Sequence, residues 1–268
     1  MCRLNRNSKN KLSDFNMNLT AAVMMAALLM AGCEIVNGSG NIESRNRAVS
    51  AFTRVEIDIS ADVTVRQGNQ PMVAIETDDN MFRYVRTYVR NGTLYISQKE
   101  DVHIHPTRLV IEVNTSSFTG LALDGSADVL VADDFEPASM QVAIDGSGYV
   151  EWAVPLHTPE LNIAIDGSGT FDGTVVCDRV LTDIDGSGDV FLRGSAGYHA
   201  ISVDGSAYVQ AVEMETETTE VNVDGTANCY LFATQTLDIR IDGVADVTYR
   251  GEPLVTRDID GSGSVRQL

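Results

Sequence analysis

The sequence predicts an all-β protein built as a single-stranded parallel β-helix, with coils of about 18–22 residues. An Asp-Gly pair preceded by an aliphatic residue recurs eight times, and successive copies are 18 to 21 residues apart. Apolar and polar residues alternate on both sides of each pair, which indicates β-strands rather than helices. A coil of this length accommodates two or three short strands but no long helix. We expect a right-handed solenoid, because parallel crossovers are almost always right-handed.

Each copy of the repeat has the same small centre between apolar positions. The residue before the Asp is always aliphatic, and the fifth residue after it is Val in all copies but two, Phe171 and Cys229. The residue after the Asp is always Gly, and the third residue after it is Gly or Ala. Gly also permits positive φ. The motif is therefore predicted to be either a corner or a flattened, narrow part of the coil between two short strands. The pattern fits both geometries equally.

Stacked coils would align the repeated acids in one column, about 4.8 Å apart along the axis. The column consists of Asp124, Asp145, Asp166, Asp185, Asp204, Asp224, Asp242 and Asp260. One interpretation is turn capping, in which each carboxylate accepts hydrogen bonds from its own Gly-Ser turn. The other is cation binding, with Ca²⁺ as the bound ion. The glycine-rich nonapeptides of the calcium β-roll are absent, which favours capping, and no defined metal site is predicted.

Composition excludes some classes of partner. The chain has 268 residues, of which 19 are Lys or Arg and 38 are Asp or Glu, so its formal net charge is −19. Such a charge repels nucleic acid and anionic lipid head groups. A hydrophobic content of 44% supports a packed core, and the low aromatic content of 6% fits thin coils.

The N-terminus has the features of an export signal. Residues 1–16 are polar and basic, and residues 19–30 are apolar apart from Thr20. This pattern is typical of a secretory signal peptide and is too short for a membrane span. The segment Leu29-Met30-Ala31-Gly32-Cys33 resembles the lipobox of bacterial lipoproteins, which implies that Cys33 is lipidated and anchors the protein without spanning the membrane. A plain signal peptide with an incidental cysteine is the alternative. Glu34 favours the outer membrane in a Gram-negative source, on its periplasmic face or at the cell surface.

Four regions are predicted along the chain. Residues 1–32 form the cleaved signal peptide, and residues 33–50 form an anchor or linker with a first degenerate coil, since residues 37–42 look like an early motif. Residues 51–120 form an N-terminal β part, and residues 121–268 form the regular coils. Residues 55–63 align with residues 121–129, and the separation of 66 residues predicts three coils of 22. Asn91-Gly92 predicts a hairpin turn.

Two further places are candidates for partner binding. Residues 82–90 form the one basic segment, for which helix and strand both fit, and Arg83, Arg86 and Arg90 could hold an anionic sugar or a partner's carboxylate. The simpler interpretation is that these arginines neutralise neighbouring acids. The last coil ends at Leu268 without a polar cap, so its open strand edges predict a homo-oligomer or another partner at that end.

No catalytic residue is predicted. Carboxylate pairs such as Asp183 with Asp185, or Asp258 with Asp260, could serve as acid and base, but the repeats supply similar acids everywhere. His103 and His105 share one strand face without an evident third ligand, and no nucleotide-binding or nucleophile motif occurs. Trp152 falls on an inward position. Cys177 and Cys229 lie at different points of the coil, so no disulfide is expected between them.

Several segments together resemble a known family. These are residues 52–57, 63–68, 79–80 and 91–96, followed by the Asp-Gly-Ser-Gly coils. Over about residues 51–250 they resemble the head GIN domain family of auto-transporter adhesins. The resemblance implies a β-helical fold in the cell envelope and carries over no catalytic or binding residue.

We therefore expect a non-enzymatic envelope lipoprotein, an adhesin-like β-helix that binds a polysaccharide or an envelope protein. A periplasm-facing scaffold lipoprotein is the alternative, followed by a polysaccharide-active enzyme.

Overall fold

The computed structural model describes residues 34–268, which form twenty β-strands and no helix. Cys33 and the predicted signal peptide lie outside the described residues. Within residues 34–268, no segment is a helix long and apolar enough to cross a membrane. The strands are β1 (Glu34–Asn37), β2 (Ile42–Ala48), β3 (Arg54–Asp58), β4 (Asp62–Gln67), β5 (Met72–Asp78), β6 (Val85–Arg90), β7 (Thr93–Gln98), β8 (Val102–His105), β9 (Leu109–Thr115), β10 (Gly120–Leu123), β11 (Asp128–Val131), β12 (Met140–Ile144), β13 (Tyr149–Ile165), β14 (Thr170–Ile184), β15 (Ser187–Val203), β16 (Ser206–Val223), β17 (Thr226–Ile241), β18 (Val244–Arg250), β19 (Leu254–Ile259) and β20 (Ser262–Gln267).

The predicted parallel β-helix is confirmed by the pairing of the long strands. Each of β13 to β17 runs from one motif to the next and pairs in parallel with the strand one coil later. Ile165 pairs with Ile184, which in turn pairs with Val203, so the columns of the repeat are also the columns of the sheet. Residues 34–268 form about 8 such turns.

The core is made by the inward columns of these coils. Ile165, Ile184 and Val203 are buried completely or almost completely. Each such side chain stabilises the fold by roughly 1.5–3 kcal/mol through removal of apolar surface from water. Trp152 faces inward as predicted and packs between Phe118 and Phe171, with ring centroids 6.0 and 6.3 Å away. The thiols of Cys177 and Cys229 are also buried and free, and burial raises their pKa values to about 11 and about 12.

The first coils are not stacked in chain order. β3 and β4 pair in parallel with β10 and β11 on one side, and with β7 and β9 on the other. Val55 therefore lies directly beside Leu121, although 66 residues separate them in sequence. The predicted separation of three coils was wrong, because β3 and β10 are adjacent in the stack. The intervening chain forms β7 and β9 on the other side of β3 and β4 and then returns to continue the stack.

Antiparallel strands close this end of the solenoid. β6 pairs with β7 as a hairpin, and β5 pairs with β9 and with β2. The Asn91-Gly92 turn is confirmed, with φ of 51° and 77°. The basic segment, which fitted helix and strand equally, is a turn up to Tyr84 followed by strand β6. Together, residues 34–115 without β3 and β4 form what we call the cap.

Residues 37–42 do not form an early turn of the parallel stack. They connect β1, which pairs with β8 in a separate two-stranded sheet, to β2, which is antiparallel to β5. The small sheet covers its own apolar cluster of Met81, Tyr84 and Val102. Residues 37–42 resemble the motif in sequence because they contain Gly and Ser, but here these residues form the loop that connects β1 to β2 within the cap.

Asp78 holds the parts of the cap together. Its carboxylate is fully buried and accepts hydrogen bonds from the N–H of Gly40 at 2.7 Å and from the N–H and hydroxyl of Thr107 at 2.7 and 2.8 Å. Burial alone would raise the pKa of Asp78, but these hydrogen bonds together hold it below the usual value. The end of β5 is thereby tied to the β1–β2 connection and to the loop after β8.

The opposite end of the solenoid is open in the described residues. β19 and β20 pair with β17 and β18 on one side only. Leu254 is 74% exposed, and Ile259 is 38% exposed.

Candidate functional site

The Asp column runs along an exposed corner of the solenoid. All eight Asp residues are exposed, and each follows a buried aliphatic residue at the end of a strand, or an exposed one in the last coil. The turn amides donate to the preceding coil rather than to the Asp: Ser168 N–H donates to Gly146 O at 2.8 Å, and Gly167 N–H donates to Ile144 O at 3.2 Å. The predicted capping hydrogen bonds are therefore not formed in the structure. Among the eight, only Asp242 has a side-chain hydrogen bond within residues 34–268, and it accepts from Arg240 at 3.0 Å.

No compact metal centre is present in the part of the chain that the structure describes. Within residues 34–268, no three His, Cys, Asp or Glu side chains are grouped so that they could hold a metal ion. His103 and His105 do share the exposed face of β8, and their rings are 6.4 Å apart. They line a groove of about 810 Å³ between β8 and the turn that contains Asp58 and Asp62.

An acidic groove lies on the outer face of β14 to β17 and β19, next to the Asp column. Its volume is about 660 Å³, and one of its walls is the column Asp183, Ser202, Asn222, Arg240 and Asp258. Partial burial raises the pKa of Asp183, and the neighbouring charge of Asp185 raises it further. The two carboxylate pairs considered from the sequence lie in or beside this groove, among many similar carboxylates.

The three arginines of the basic segment do not converge on one point. Arg83 stands in the turn before β6 and covers the ring of Tyr84 at 4.7 Å. Arg86 forms an exposed ion pair with Glu100 at 3.1 Å, while Arg90 is exposed at the hairpin end of β6. Arg86 and Arg90 flank Tyr88, whose ring stacks on Tyr95 with centroids 5.0 Å apart. The segment therefore offers an aromatic pair between two cations rather than a three-arginine pocket.

A row of outward aromatic rings was missed by the sequence analysis. Phe191, Tyr208 and Tyr230 lie on the outer side of β15, β16 and β17, with successive centroids 5.9 and 5.8 Å apart. We call these three rings the aromatic platform. The signal was available in the sequence, because these residues occupy outward positions of the repeat that otherwise hold mainly polar side chains.

Charge is distributed unevenly between the two ends of the molecule. Residues 34–115 contain 9 Lys or Arg and 11 Asp or Glu, which gives a net charge of −2. Residues 116–268 contain 6 and 26, which gives −20. The regular coils therefore carry almost all of the negative charge, and they present it mostly to solvent.

The sequence matches the family described as "Putative auto-transporter adhesin, head GIN domain" over residues 51–253. The chain belongs to this family. No curated protein matches the chain. The family match covers the aromatic platform and most of the Asp column and the acidic groove, but it ends before β19, which carries Asp258 of the groove, and before Asp260 of the column.

Solved structures of family-like proteins share this fold. A "putative lipid binding protein" from Parabacteroides distasonis is 26% identical with a TM-score of 0.81, and the alignment covers 88% of this chain and 100% of that one. A "putative adhesin" from the same organism is 22% identical with a TM-score of 0.81 and the same coverage. A "putative adhesin" from Parabacteroides merdae is 18% identical with a TM-score of 0.78, covering 88% and 99%. The last two, at lower identity, show the fold alone.

Proposed function

We propose that this head GIN domain protein is a lipid-anchored, non-enzymatic module of the cell envelope that binds its partner through the outer surface of the coils. The observation that carries the proposal is the rigid stack of parallel coils, whose outward columns form long, exposed rows of polar side chains. Membership of an adhesin family supports an adhesin-like role at the envelope.

The position of β1 supports attachment through Cys33. β1 begins at Glu34, so an acylated Cys33 would be joined to the cap without an intervening linker. The weakly charged cap would then lie nearest the membrane. The coils, with a net charge of −20, would be repelled from an anionic membrane surface and would point away from it.

The site geometry favours binding over catalysis. The acidic groove is open, and similar carboxylates recur from coil to coil, so the raised pKa of Asp183 does not by itself single out an acid and base pair. Repetition of similar groups suits a long ligand that contacts several coils at once.

Metabolic labelling with a palmitate analogue tests the anchor. We expect the full-length protein to incorporate the label, the Cys33→Ala variant to lose it, and the matched Cys2→Ala variant to keep it. Equal labelling of both variants would contradict an anchor at Cys33.

Protease treatment of intact cells tests display at the surface. We expect the labelled protein to be digested without permeabilisation. Digestion only after the outer membrane is broken would reject surface display and would favour the periplasm-facing scaffold.

A further inference from the structure

The aromatic platform is a local departure from the repeat. Phe191 is the cross-strand neighbour of Gln210, which is in turn the neighbour of Tyr230, while Tyr208 pairs with Asp189 and Asn228. The same two columns in the other coils hold mainly acids, Thr and other polar residues. The coil fold therefore does not require aromatic residues at these positions. Tyr208, the central ring, is 36% exposed.

The strand register is irregular at the same place. The pairing of β15 with β16 shifts between Phe191 and Arg193, and the pairing of β16 with β17 shifts between Ala211 and Glu215. Register shifts of this kind bend a strand and redirect its side chains, and they are frequent beside binding sites. Here the shift opens a cavity of about 170 Å³ beside Phe191, lined also by Arg193, Gln210 and Glu213.

Hydrogen-bonding groups lie beside the rings of the platform. The Tyr208 hydroxyl donates to the side chain of Gln210 at 3.3 Å, and Asn228 lies on the neighbouring strand. Arg193 donates to Asp172 at 2.5 Å and lies 3.7 Å from Glu213. The platform thus combines flat apolar faces with amides, a guanidinium and carboxylates, all on one side of the sheet.

We propose that the aromatic platform binds a neutral polysaccharide chain that lies along the solenoid axis. The rings would stack against the apolar faces of successive sugar units, and the side chains of Gln210, Asn228 and Arg193 would bond the hydroxyl groups. The net charge of −20 on residues 116–268 disfavours an anionic polysaccharide. This inference names the partner class for the proposed envelope-binding function and rests on that function.

A protein partner fits the platform less well. Protein hot spots are aromatic side chains in apolar pockets that become fully desolvated at the centre of an interface. The three rings here contact one another only diagonally, and their direct cross-strand partners are the polar residues Gln210, Asp189 and Asn228. A ligand with apolar faces and hydroxyl edges in each unit matches that alternation.

Binding of defined oligosaccharides by the full-length protein, purified in detergent, tests the proposal. The probes are immobilised hexamers of the malto-, cello-, laminari- and chito- series, with polygalacturonate as the anionic comparison. We expect at least one neutral hexamer to bind and polygalacturonate not to bind. Binding of polygalacturonate alone, of none of the probes, or of a protein partner that uses these rings in their place would overturn the proposal.

Substitutions then assign the binding to the platform. Tyr208→Ala and Phe191→Ala should each weaken binding of the neutral hexamer at least about tenfold, whereas Tyr208→Phe should retain it within about threefold. Tyr198→Ala is the matched control, because Tyr198 stacks with Arg179 away from the platform. The assignment would be contradicted if Tyr198→Ala weakened binding equally, or if Tyr208→Ala did not weaken binding in a variant with an unchanged melting temperature.

Palmitate labelling and surface digestion do not depend on these rings, so failure of the anchor and failure of the platform are distinguishable.

Discussion

The glycine after each Asp illustrates how stacking restricts a single residue. A Cβ atom on Gly186 would collide with the carbonyl oxygen of Gly167 in the preceding coil, and Gly167 and Gly205 are restricted in the same way. None of the motif glycines has positive φ, so the bend does not depend on the left-handed region that the sequence analysis considered. Close approach of two backbones is the reason for Gly at this position.

Two alanine substitutions in one motif test this explanation. Gly186→Ala should lower the free energy of unfolding by about 3 kcal/mol or more, because a backbone atom cannot move aside. Gly188→Ala should cost less than Gly186→Ala, since its Cβ would meet side-chain atoms of Ile165 at 3.0 Å rather than a backbone atom. Ala207 and Ala227 already occupy the equivalent position in later coils. Urea unfolding of both variants measures the difference, and equal costs would contradict the explanation.

His199 is a buried titratable group in the core of β15. It is 1% exposed, and its Nε2 lies 3.1 Å from the hydroxyl of Thr182. Burial lowers its pKa to about 3, so it is neutral in the folded protein at neutral pH.

Replacement of His199 should change how stability depends on pH. Between about pH 6.5 and pH 4 the unfolded state binds a proton that the folded state does not, so His199 makes stability fall as pH falls, by up to about 1.4 kcal/mol per pH unit. The His199→Leu variant should lack this component. Urea unfolding of both proteins at pH 7, 6, 5 and 4 gives the comparison, and parallel curves would show that His199 is protonated in the folded state.

At the scale of elements, polar contacts stabilise the cap, whereas columns of buried apolar side chains stabilise the coils. Asp78 joins the end of β5 to two other segments through buried hydrogen bonds, while the adjacent Asp79 accepts from Ser39 at 2.6 Å and Asn41 at 3.2 Å in a more exposed setting. Buried donors that lose their acceptor cost far more than exposed ones, which water can satisfy.

Substitution of the two neighbouring acids should separate these settings. Asp78→Ala should destabilise the protein by about 3 kcal/mol, because the N–H groups of Gly40 and Thr107 lose their acceptor. Asp79→Ala should cost much less, because water can satisfy the groups that bond this more exposed carboxylate. Since the folded pKa of Asp78 is lowered, its contribution is present above about pH 4 and is lost as pH falls below it. Hydrogen exchange of β1 and β2 should increase only in the Asp78 variant, and equal exchange in both would refute the assignment.

At the scale of the whole molecule, the main electrostatic feature is the stacking of negatively charged carboxylates on one another in successive coils. Carboxylates of the Asp column are about one coil spacing apart, roughly 4.8 Å, and few cations accompany them. Repulsion between exposed charges at this distance destabilises the stack and is screened by salt.

Salt and calcium should therefore have measurable effects on melting. Raising NaCl from about 0.05 M to about 0.5 M should raise the melting temperature, because the Debye length falls well below the dimensions of the coil surface. Asp185→Asn should raise the melting temperature at low salt and should reduce its dependence on NaCl.

From screening alone, calcium should raise the melting temperature no more than NaCl of equal ionic strength does. A larger, saturable rise would instead support the cation-binding interpretation of the column.

The candidate site was only partly predictable from the sequence. The Asp column followed from the repeat period of the sequence. The inward position of Trp152 followed from the two-residue alternation of inward and outward side chains. The aromatic platform was overlooked because Phe191 and Tyr230 lie six residues after their Asp but Tyr208 lies four after its own, so the rings become neighbours only through diagonal contacts between coils. Arg83, Arg86 and Arg90 appeared to form one site, but a turn and a strand place them apart.

The sequence by itself determined the coil, because the repeat period and the two-residue alternation specify which side chains face inward at every turn. Only the tertiary structure decided the order of the first coils, in which residues 93–115 lie outside residues 54–67. It also decided which carbonyl groups accept the hydrogen bonds of the turn amides. The physical reason is that a repeat encodes contacts between equivalent positions of adjacent coils. The cap is held by contacts that occur once, such as the hydrogen bonds of Asp78, and periodicity carries no information about them.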